Sequence, residues 1–434
     1  MMAQLMAHWE FGTLVLFILL FLGVPISFAL ALIGTAGTAA IIGWSPSFSL
    51  LGQTYFEHSR SYSLSILPLF LMMGNFVVQS GIARDLYSAA YAWLRHRKGG
   101  LAVATVVACG GFSSVCGSSL ATASTMAKIA LPNMRKFGYP DSLSTASIAA
   151  GGTLGILIPP SVILVFYGIM TQQDIGKLFL AGILPGILGV ILYALAVRIS
   201  VHFGKFDLPI EAKLPLKDRI IALKGVAGAL GLFAFVMGGI YFGVFTPTES
   251  AGMGAGGAFL LVLLQGRLTV TKTLVTLYET AKTTAMMFFI LFGALTFANY
   301  VNLSGMSRDI QVLVTSVGDH PLAVIGIITV IYLILGCVLE GLSMITLTVP
   351  IFYPIVAAQG FDLIWFGIYV VIVTEVSYIT PPVGLNAFVL KSVVKDVQLS
   401  TIFRGLGPFL LVDVLRVILI LAFPALVLFV PNMM

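Results

Sequence analysis

The stretch GGTLGILIPPS at residues 151–161 and the stretch ITPPVGLN at residues 379–386 contain the only two Pro-Pro pairs of the chain. The spacing that separates these two pairs also relates Pro132 to Pro354, Gly138 to Gly360 and Phe166 to Phe388. A weaker match relates residues 76–81 to residues 300–305. An ordered set of matches at one spacing indicates an internal duplication, in which proline interrupts a helix of each half.

The composition requires a membrane environment. Hydrophobic residues make up 59% of the 434 residues and charged residues only 9%, whereas soluble domains carry about 25% charged residues. Apolar runs long enough to cross a bilayer as helices recur along the chain. Because these runs lack the short alternation of barrel strands, the predicted fold class is an all-α polytopic membrane protein.

Nine crossings and two shorter, interrupted stretches are predicted. The crossings lie near residues 11–43, 63–82, 141–171, 177–200, 220–243, 248–265, 283–303, 363–392 and 405–431. The stretches 101–131 and 322–357 are each too short to cross twice. Gly and Ser clusters at 110–119 and 336–343 are expected to open the helix in each stretch. We therefore predict two re-entrant hairpins, each of which enters and leaves the bilayer on the same side.

The distribution of loop charges supports this topology. With both hairpins re-entrant, one side receives sixteen of the 23 Lys and Arg residues, namely Arg84, Arg95, Arg97, Lys98, Arg135, Lys136, Lys205, Lys213, Lys217, Arg219, Arg267, Lys272, Lys282, Lys391, Lys395 and Arg404. The positive-inside rule makes that side cytoplasmic. Topology therefore explains the net charge of +6 without a nucleic-acid partner. The two hairpins enter from opposite faces, so the halves are inverted.

Three regions follow from this pattern. The first inverted repeat spans residues 1–200 and contains hairpin 101–131 and broken helix 141–171. A cytoplasmic linker spans residues 201–219. Residues 220–434 form a connecting helix and the second inverted repeat, which contains hairpin 322–357 and broken helix 363–392. Inverted repeats with broken helices are typical of secondary transporters, and the matching breaks predict the binding site. Helix ends at such breaks have free carbonyls for a cation and free amides for an anion.

Other classes of function fit the chain less well. An enzyme would need paired carboxylates, paired histidines or a nucleophile with its base inside the spans, and the sequence has no such set. A passive channel needs a continuous polar path, which a few hydroxyl-rich breaks do not supply. Cys109, Cys116 and Cys337 lie in apolar stretches without metal-ligand spacing and are interpreted as packing residues. No cleavable signal peptide is expected, so the first span stays in the protein.

Several motifs resemble the large membrane subunit, the M or DctM-like component, of tripartite ATP-independent periplasmic (TRAP) transporters. They are GVPI at 23–26, PLF at 68–70 with Gly74, the stretch 111–132, GGTLGILIPPS at 151–161, GVFTPTES at 243–250, the stretch 340–350 and ITPPVGLN at 379–386. The resemblance covers nearly the full length. It implies a sodium-coupled importer of organic acids, such as a C4-dicarboxylate or sialic acid, in the bacterial inner membrane.

The resemblance also implies partners and a mechanism. A separate small four-helix Q subunit and a periplasmic substrate-binding protein, the P subunit, are expected, together with membrane lipid and a carboxylate substrate. Sodium is the expected coupling ion, with no organic cofactor. An elevator mechanism is implied, in which the hairpins and broken helices slide against the remaining helices. The alternative is a self-sufficient carboxylate carrier of the same hairpin architecture, coupled to Na⁺ or H⁺, that needs no binding protein.

The resemblance implies one sodium site in each repeat. The first set is Cys116, Ser118, Gly155, Ile158 and Pro160. The second set is Glu340, Gly341, Ser343, Ser377, Thr380 and Pro382. Cys116 stands where a serine is common in the family pattern, so only its backbone carbonyl is an expected ligand. Ser119 and Asn386 are the polar side chains expected to reach the substrate.

Overall fold

The structure is a computed structural model that describes residues 6–204, 206, 208–317 and 321–434. Within these residues the chain forms helices and turns without strands, which confirms the all-α class. The helices that precede the linker are α1 Trp9–Phe21, α2 Ile26–Ile42, α3 Trp44–Ser59, α4 Ile66–Gln79, α5 Ile82–Leu94, α6 Gly100–Cys116, α7 Ser119–Lys136, α8 Asp141–Thr153, α9 Val162–Thr171 and α10 Ile175–Phe203.

A second series of helices follows the linker. It comprises α11 Leu216–Tyr241, α12 Pro247–Leu264, α13 Val270–Leu303, α14 Met306–Val317, α15 Pro321–Leu335, α16 Gly341–Ala358, α17 Leu363–Ser377, α18 Leu385–Val393, α19 Leu399–Ala422 and α20 Ala425–Leu428. Short 3₁₀ turns lie at Tyr62–Ser65, Leu154–Ile156 and Pro431–Met433.

Polar caps fix where several helices begin. At the start of α7 the Ser118 hydroxyl accepts a hydrogen bond from a backbone N–H, and Ser161 and Asp174 act in the same way at α9 and α10. At α12, Thr246 and Glu249 form a reciprocal capping box. Each cap satisfies an N–H that has no partner within its helix, which matters most in an apolar environment.

Six helical segments of the described chain are long and apolar enough to cross a membrane, which makes this a multi-pass membrane protein. They are Tyr62–Gln79, Ile175–Phe203, Leu216–Tyr241, Val270–Leu303, Gly341–Ala358 and Leu399–Ala422. The predicted crossing at 11–43 is instead divided into α1 and α2, because Gly23 adopts a φ of 81° and Pro25 precedes the second helix. The crossing predicted at 283–303 belongs to a longer helix that begins at Val270, so Lys272 and Lys282 lie on a helix.

Both interrupted stretches form antiparallel helical hairpins. In the first, Oγ1 of Thr105 near the start of α6 lies 3.5 Å from Sδ of Met134 near the end of α7. In the second, the hydroxyl of Tyr332 near the end of α15 lies 2.5 Å from the hydroxyl of Thr348 in α16. The four arms begin and end close to the predicted bounds, except that α7 continues to Lys136.

The breaks at the hairpin tips are shorter than the Gly and Ser clusters suggested. Helix α6 continues through Gly110 and Gly111 and ends at Cys116. Only residues 117–118 therefore separate the two arms of the first hairpin, α6 and α7. A Cβ atom on Gly110 would lie 2.7 Å from Val190 Cγ2, so this glycine serves close helix packing. In the second hairpin only residues 336–340 leave the helix.

Each Pro-Pro pair interrupts a helix, and the arm after each break packs against the hairpin of the other half of the chain. Helix α8 ends at Thr153 and α9 begins at Val162, while α17 ends at Ser377 and α18 begins at Leu385. Helix α9 contacts α16 of the second hairpin, and α18 contacts α7 of the first hairpin. The two hairpins and the two broken helices therefore form one interlocked body.

Helices α2, α4, α12 and α13 pack beside this body. Helices α2 and α13 approach closely at Gly34, where a Cβ atom would lie 2.7 Å from the backbone nitrogen of Phe297. Helix α4 lies along α12 and reaches the first hairpin at Gly74, where a Cβ atom would lie 2.8 Å from the carbonyl oxygen of Val115. Glycine is needed at both positions because any side chain would separate the helices.

The linker between the halves is attached to α5. Its extended part is shorter than the predicted 201–219, because α10 continues to Phe203 and α11 begins at Leu216; Lys205 lies outside the described residues. The Glu211 carboxylate accepts hydrogen bonds from the Tyr91 hydroxyl and from the Arg95 guanidinium. These bonds hold the linker across the surface of α5.

The start of α11 is attached to the same helix. The Arg219 guanidinium stacks 5.2 Å from the centre of the Trp93 ring, and its Nη2 lies 3.2 Å from Nδ1 of His96. Desolvation, followed by the charges of Arg219, Lys213 and Arg97, lowers the pKa of His96 below its ordinary value of 6.5. His96 therefore resists protonation in the folded protein.

Candidate functional site

A cavity of about 670 Å³ lies between the two hairpin tips and the helices α2, α4 and α13. Five of the residues singled out from the sequence line it: Cys116, Ser118, Ser119, Glu340 and Ser343. Ile156, Val162 and Ile163 from the first Pro-Pro region and its arm, and Tyr378 beside the second, add to the wall. The cavity is thus the place where the tips of both repeats face the same volume.

Four helix N-termini line this cavity, namely that of α2 at Ile26 and those of three helices of the interlocked body. Helix α7 begins there after the Ser118 cap, α9 begins there at Val162, and α16 begins there after Glu340. The N-terminus of a helix carries free N–H groups and a partial positive charge. The cavity can therefore attract an anion without a basic side chain in its wall.

Glu340 is the only acidic or basic side chain among the described residues that line the cavity. Its carboxylate caps α16 by accepting a hydrogen bond of 3.2 Å from the Leu342 N–H. A carboxylate in this position favours a nearby cation and disfavours a second anion in direct contact. The wall therefore combines one carboxyl side chain with several backbone N–H groups.

The first predicted sodium set comes together at the backbone. A Cβ atom on Gly155 would lie 2.6 Å from the Ser118 carbonyl oxygen, and one on Gly117 would lie 2.9 Å from the Pro160 carbonyl oxygen. Glycine at these two positions thus lets the backbones of the hairpin tip and of the break approach closely, which brings carbonyl oxygens of both together. Such oxygens are the donors that a hard cation such as Na⁺ prefers, so this part of the chain fits a sodium ion.

The side chains of the first set have other surroundings. Cys116 lines the cavity, whereas Ile158 points toward α10, where its Cγ1 would lie 2.7 Å from a Cβ atom on Gly186. The Ser118 carbonyl already accepts a hydrogen bond of 2.8 Å from the Thr122 hydroxyl. Any contribution of Ile158 to ion binding must therefore come from its backbone.

The second predicted set is brought together in part. The Gly341 N–H donates a hydrogen bond of 2.5 Å to the Tyr378 hydroxyl, and Ser377 faces Gly336 at the end of α15. The Thr380 hydroxyl donates back to the Val376 carbonyl at 2.6 Å. Residues 336–341 and 377–378 are therefore neighbours, and Glu340 and Ser343 lie on the cavity side of this contact.

The two breaks differ in exposure. Pro159 and Pro160 are buried, whereas Pro381 and Pro382 are exposed on the surface of the chain. Helix α10 covers the first break, since a Cβ atom on Gly182 would lie 2.6 Å from the Leu157 carbonyl oxygen. Pro382 thus lies at the surface, at the edge of the second set.

Ser119 and Asn386 contact each other. The Asn386 amide lies 2.9 Å from the Ser119 hydroxyl and also donates a hydrogen bond of 2.9 Å to the Ala149 carbonyl. Asn386 is fully buried and lies outside the cavity wall, while Ser119 lies in the wall. The pair links the tip of the first hairpin to the arm that follows the second break.

Comparison with known proteins places the chain in a family. The family model described as tripartite ATP-independent periplasmic transporter, DctM component, matches residues 13–426. The chain belongs to this family of TRAP transporter large subunits. The C4-dicarboxylate TRAP transporter large permease protein DctM of Pseudomonas aeruginosa is 36% identical over 92% of this chain and 93% of its own length. The sialic acid TRAP transporter large permease protein SiaM of Vibrio cholerae is 30% identical over 96% of both chains.

A solved structure shares the fold. The YdaH transporter of Alcanivorax borkumensis superposes with a TM-score of 0.59 at 14% sequence identity, over 87% of this chain and 89% of that chain. At this level of identity the likeness concerns the architecture alone. The TRAP large subunit described here is thus an all-helical membrane transport protein by family and by fold.

Sequence reasoning missed the part of the cavity wall that the other helices supply. Asn75 of α4 lines the cavity and donates a hydrogen bond of 2.9 Å to the Thr280 hydroxyl of α13. Thr283, Met286 and Met287 of α13 lie beside it. An amide in an apolar span was the available signal for Asn75; nothing in the spacing of α13 distinguished its cavity face.

A buried charged cluster lies next to both breaks. Nη2 of Arg416 lies 2.7 Å from Oε2 of Glu375 and 3.1 Å from Oδ1 of Asp413. The Tyr193 hydroxyl donates to Asp413 at 2.9 Å and lies 3.0 Å from Oγ1 of Thr153. The three charged side chains are fully buried. In this TRAP subunit a series of polar contacts through Arg416, Asp413 and Tyr193 therefore connects α17, which precedes the second break, with α8, which precedes the first.

Proposed function

We propose that this chain is the membrane subunit of a sodium-coupled importer of organic acid anions in the bacterial inner membrane. The observation that carries the proposal is the cavity between the hairpin tips, where four helix N-termini meet and Glu340 is the one acidic or basic side chain of the described wall. N–H groups at these helix ends suit a carboxylate substrate. Two of the family members, named for C4-dicarboxylate and for sialic acid, have carboxylates as their named substrates.

Sodium would neutralise the negative charge that the substrate and Glu340 bring together. In the first repeat the backbone carbonyls of Cys116, Ser118, Gly155, Ile158 and Pro160 would hold the ion. In the second repeat the ligands would come from Glu340, Gly341, Ser343, Ser377, Thr380 and Pro382. Both sets include a hairpin tip and a break, so a bound ion would hold the tip against the break. This chain's part is to supply oxygens and to exclude water from them.

The packing suggests how the site moves. The hairpins and broken helices interlock through α9 on α16 and α18 on α7. The helices α2, α4 and α13 form the facing wall of the cavity. We propose that the interlocked body slides as a unit along this wall, which is the elevator motion. The substrate would then travel in the cavity between the moving body and the static helices.

A periplasmic binding protein and a small Q subunit complete the proposed assembly. The family description names a tripartite transporter, which supports both partners. The alternative is a carrier of the same architecture that takes its substrate directly from the periplasm. The two differ in one requirement: only the tripartite importer depends on the binding protein.

Uptake into proteoliposomes tests the proposal. The chain and its small subunit are reconstituted together, and uptake of radiolabelled C4-dicarboxylates and sialic acid is measured with and without an inward Na⁺ gradient and the binding protein. We expect uptake only when both are present. Replacement of Na⁺ by K⁺ at equal ionic strength is the control for the gradient. Rapid uptake without the binding protein would instead support the self-sufficient carrier.

A further inference from the structure

A basic pocket at the end of α10 lies outside the site described above. Lys98, Arg198 and His202 line it together with Val201, and its volume is about 440 Å³. Lys98 belongs to the turn between α5 and α6, whereas the other residues belong to the last turns of α10. The pocket therefore joins two elements that are far apart in the sequence.

Close packing holds these two elements together. Gly99 adopts a φ of 76°, and a Cβ atom on it would lie 2.9 Å from Cγ2 of Val201 and 3.5 Å from Cγ1 of Val197. Only glycine allows the turn this conformation and this approach without strain. The buried contact of Gly99 with Val201 thus holds the turn against α10, so that Lys98 and Arg198 line the same pocket.

The charges of the pocket lack an acidic partner. Within the part of the chain that the structure describes, neither Lys98 nor Arg198 forms an ion pair with a carboxylate. Two cations held together repel each other unless an anion lies between them. The pocket therefore has the charge of a site for an anionic oxygen group such as a phosphate.

An apolar stripe leads away from this pocket along α10. Ile187, Ile191 and Leu195 are 52%, 59% and 42% exposed. Their spacing of four residues, followed by Arg198 three residues later, keeps all four on one face of the helix. At 1.5 Å per residue the stripe runs about 16 Å from Ile187 to Arg198. One leaflet of a bilayer has about 15 Å of hydrocarbon, half of the roughly 30 Å core.

We propose that Lys98, Arg198, His202 and this stripe bind one anionic phospholipid. The phosphate lies between Lys98 and Arg198, and one acyl chain lies along Ile187, Ile191 and Leu195. The match between the stripe and the depth of one leaflet favours a lipid over free phosphate, which would have no use for the apolar face. The lipid belongs to the leaflet on the side of the basic loops. This inference is independent of the sodium-coupled transport proposed above.

Lipid binding by the full-length chain tests the proposal. The purified protein is titrated in neutral detergent with phosphatidylglycerol, with phosphatidylcholine of the same acyl chains, or with inorganic phosphate, and bound lipid is counted by native mass spectrometry. We expect phosphatidylglycerol to bind at least tenfold more tightly than phosphatidylcholine. Because each basic residue near a lipid surface contributes about fivefold to binding, Lys98→Gln with Arg198→Gln is expected to weaken phosphatidylglycerol about 25-fold.

Two further variants separate the parts of the site. Arg84→Gln removes an exposed arginine on α5 outside the pocket and is expected to leave lipid binding unchanged. Leu195→Ser, at an exposed position that folding tolerates, is expected to weaken phosphatidylglycerol binding through the acyl chain. Equal binding of the two lipids, or equal loss in Arg84→Gln and in the double variant, would overturn the proposal. The proposal would also be overturned if millimolar inorganic phosphate displaced phosphatidylglycerol and Leu195→Ser left phosphatidylglycerol binding unchanged. That result would show a site for a free anion and not for a lipid.

Discussion

Arg416→Met is expected to weaken strongly the attachment of α19 to the interlocked body, because Arg416 pairs with Glu375 of α17. Arg416 lies 2.7 Å from a Glu375 oxygen and 3.1 Å from an Asp413 oxygen, and all three side chains are 0–1% exposed. The methionine fills a similar volume but supplies no charge and no donor. Both carboxylates then stay in an apolar interior without their cation.

The size of the effect follows from burial. Removing one partner of a buried ion pair costs about 3–5 kcal/mol, because the remaining charge is left without compensation. Arg135 offers a matched control: it contacts Asp141 at 2.7 Å and Asp396 at 2.8 Å, but its side chain is 35% exposed. Water replaces a lost partner there, so Arg135→Met should cost about 0–1 kcal/mol.

Unfolding in mixed micelles measures both costs. The fraction folded is followed by tryptophan fluorescence while sodium dodecyl sulfate is added to the wild type, Arg416→Met and Arg135→Met. We expect a clearly lower midpoint for Arg416→Met only. The double variant Glu375→Gln with Arg416→Met should regain part of the loss, since it removes one of the uncompensated charges. Equal midpoints for the two arginine variants would refute the argument from burial.

Three further predictions concern the tip of the first hairpin, the linker, and the turn after α5. Gly155→Ala should abolish Na⁺-dependent uptake while the protein still folds, because the new Cβ would lie 2.6 Å from the Ser118 carbonyl oxygen and push this predicted sodium ligand away. Gly231→Ala is the control and should transport normally, because its Cβ would meet no atom within 4 Å. Glu211→Gln should speed tryptic cleavage of the linker, whose bonds to α5 it weakens. His96→Gln should reduce the loss of thermal stability, measured as the melting temperature, between pH 7.5 and 5.5. The pKa of His96 is lower in the folded than in the unfolded protein, so as the pH falls the unfolded chain binds a proton at His96 more readily and the folded state loses stability.

Sequence reasoning located most helices because apolar length and proline are local signals. The helix breaks at Pro159 and Pro381 were predicted, since proline removes a donor and cannot continue a helix. The Gly and Ser cluster at 110–116 misled the prediction of the first tip. Glycine both opens helices and lets them pack, and only the neighbours of Gly110 decide which applies.

Contacts between distant residues could not be read from the sequence. Asp413 and Arg416 are three residues apart, so one helix face brings them together, but Glu375 joins them from another helix. Asn386 is predicted to reach the substrate, and the sequence did not indicate that its amide also contacts Ala149 and Ser119. Such partners depend on how the two repeats interlock, which no local pattern specifies.

Coupled entry of ²²Na⁺ tests the central claim most directly. Proteoliposomes with this chain, its small subunit and the binding protein are loaded without Na⁺, and ²²Na⁺ entry is followed with and without unlabelled substrate outside. The account predicts that substrate accelerates ²²Na⁺ entry in the wild type and has no effect in Gly155→Ala. Substrate uptake that proceeds while ²²Na⁺ entry stays at its basal rate would contradict it.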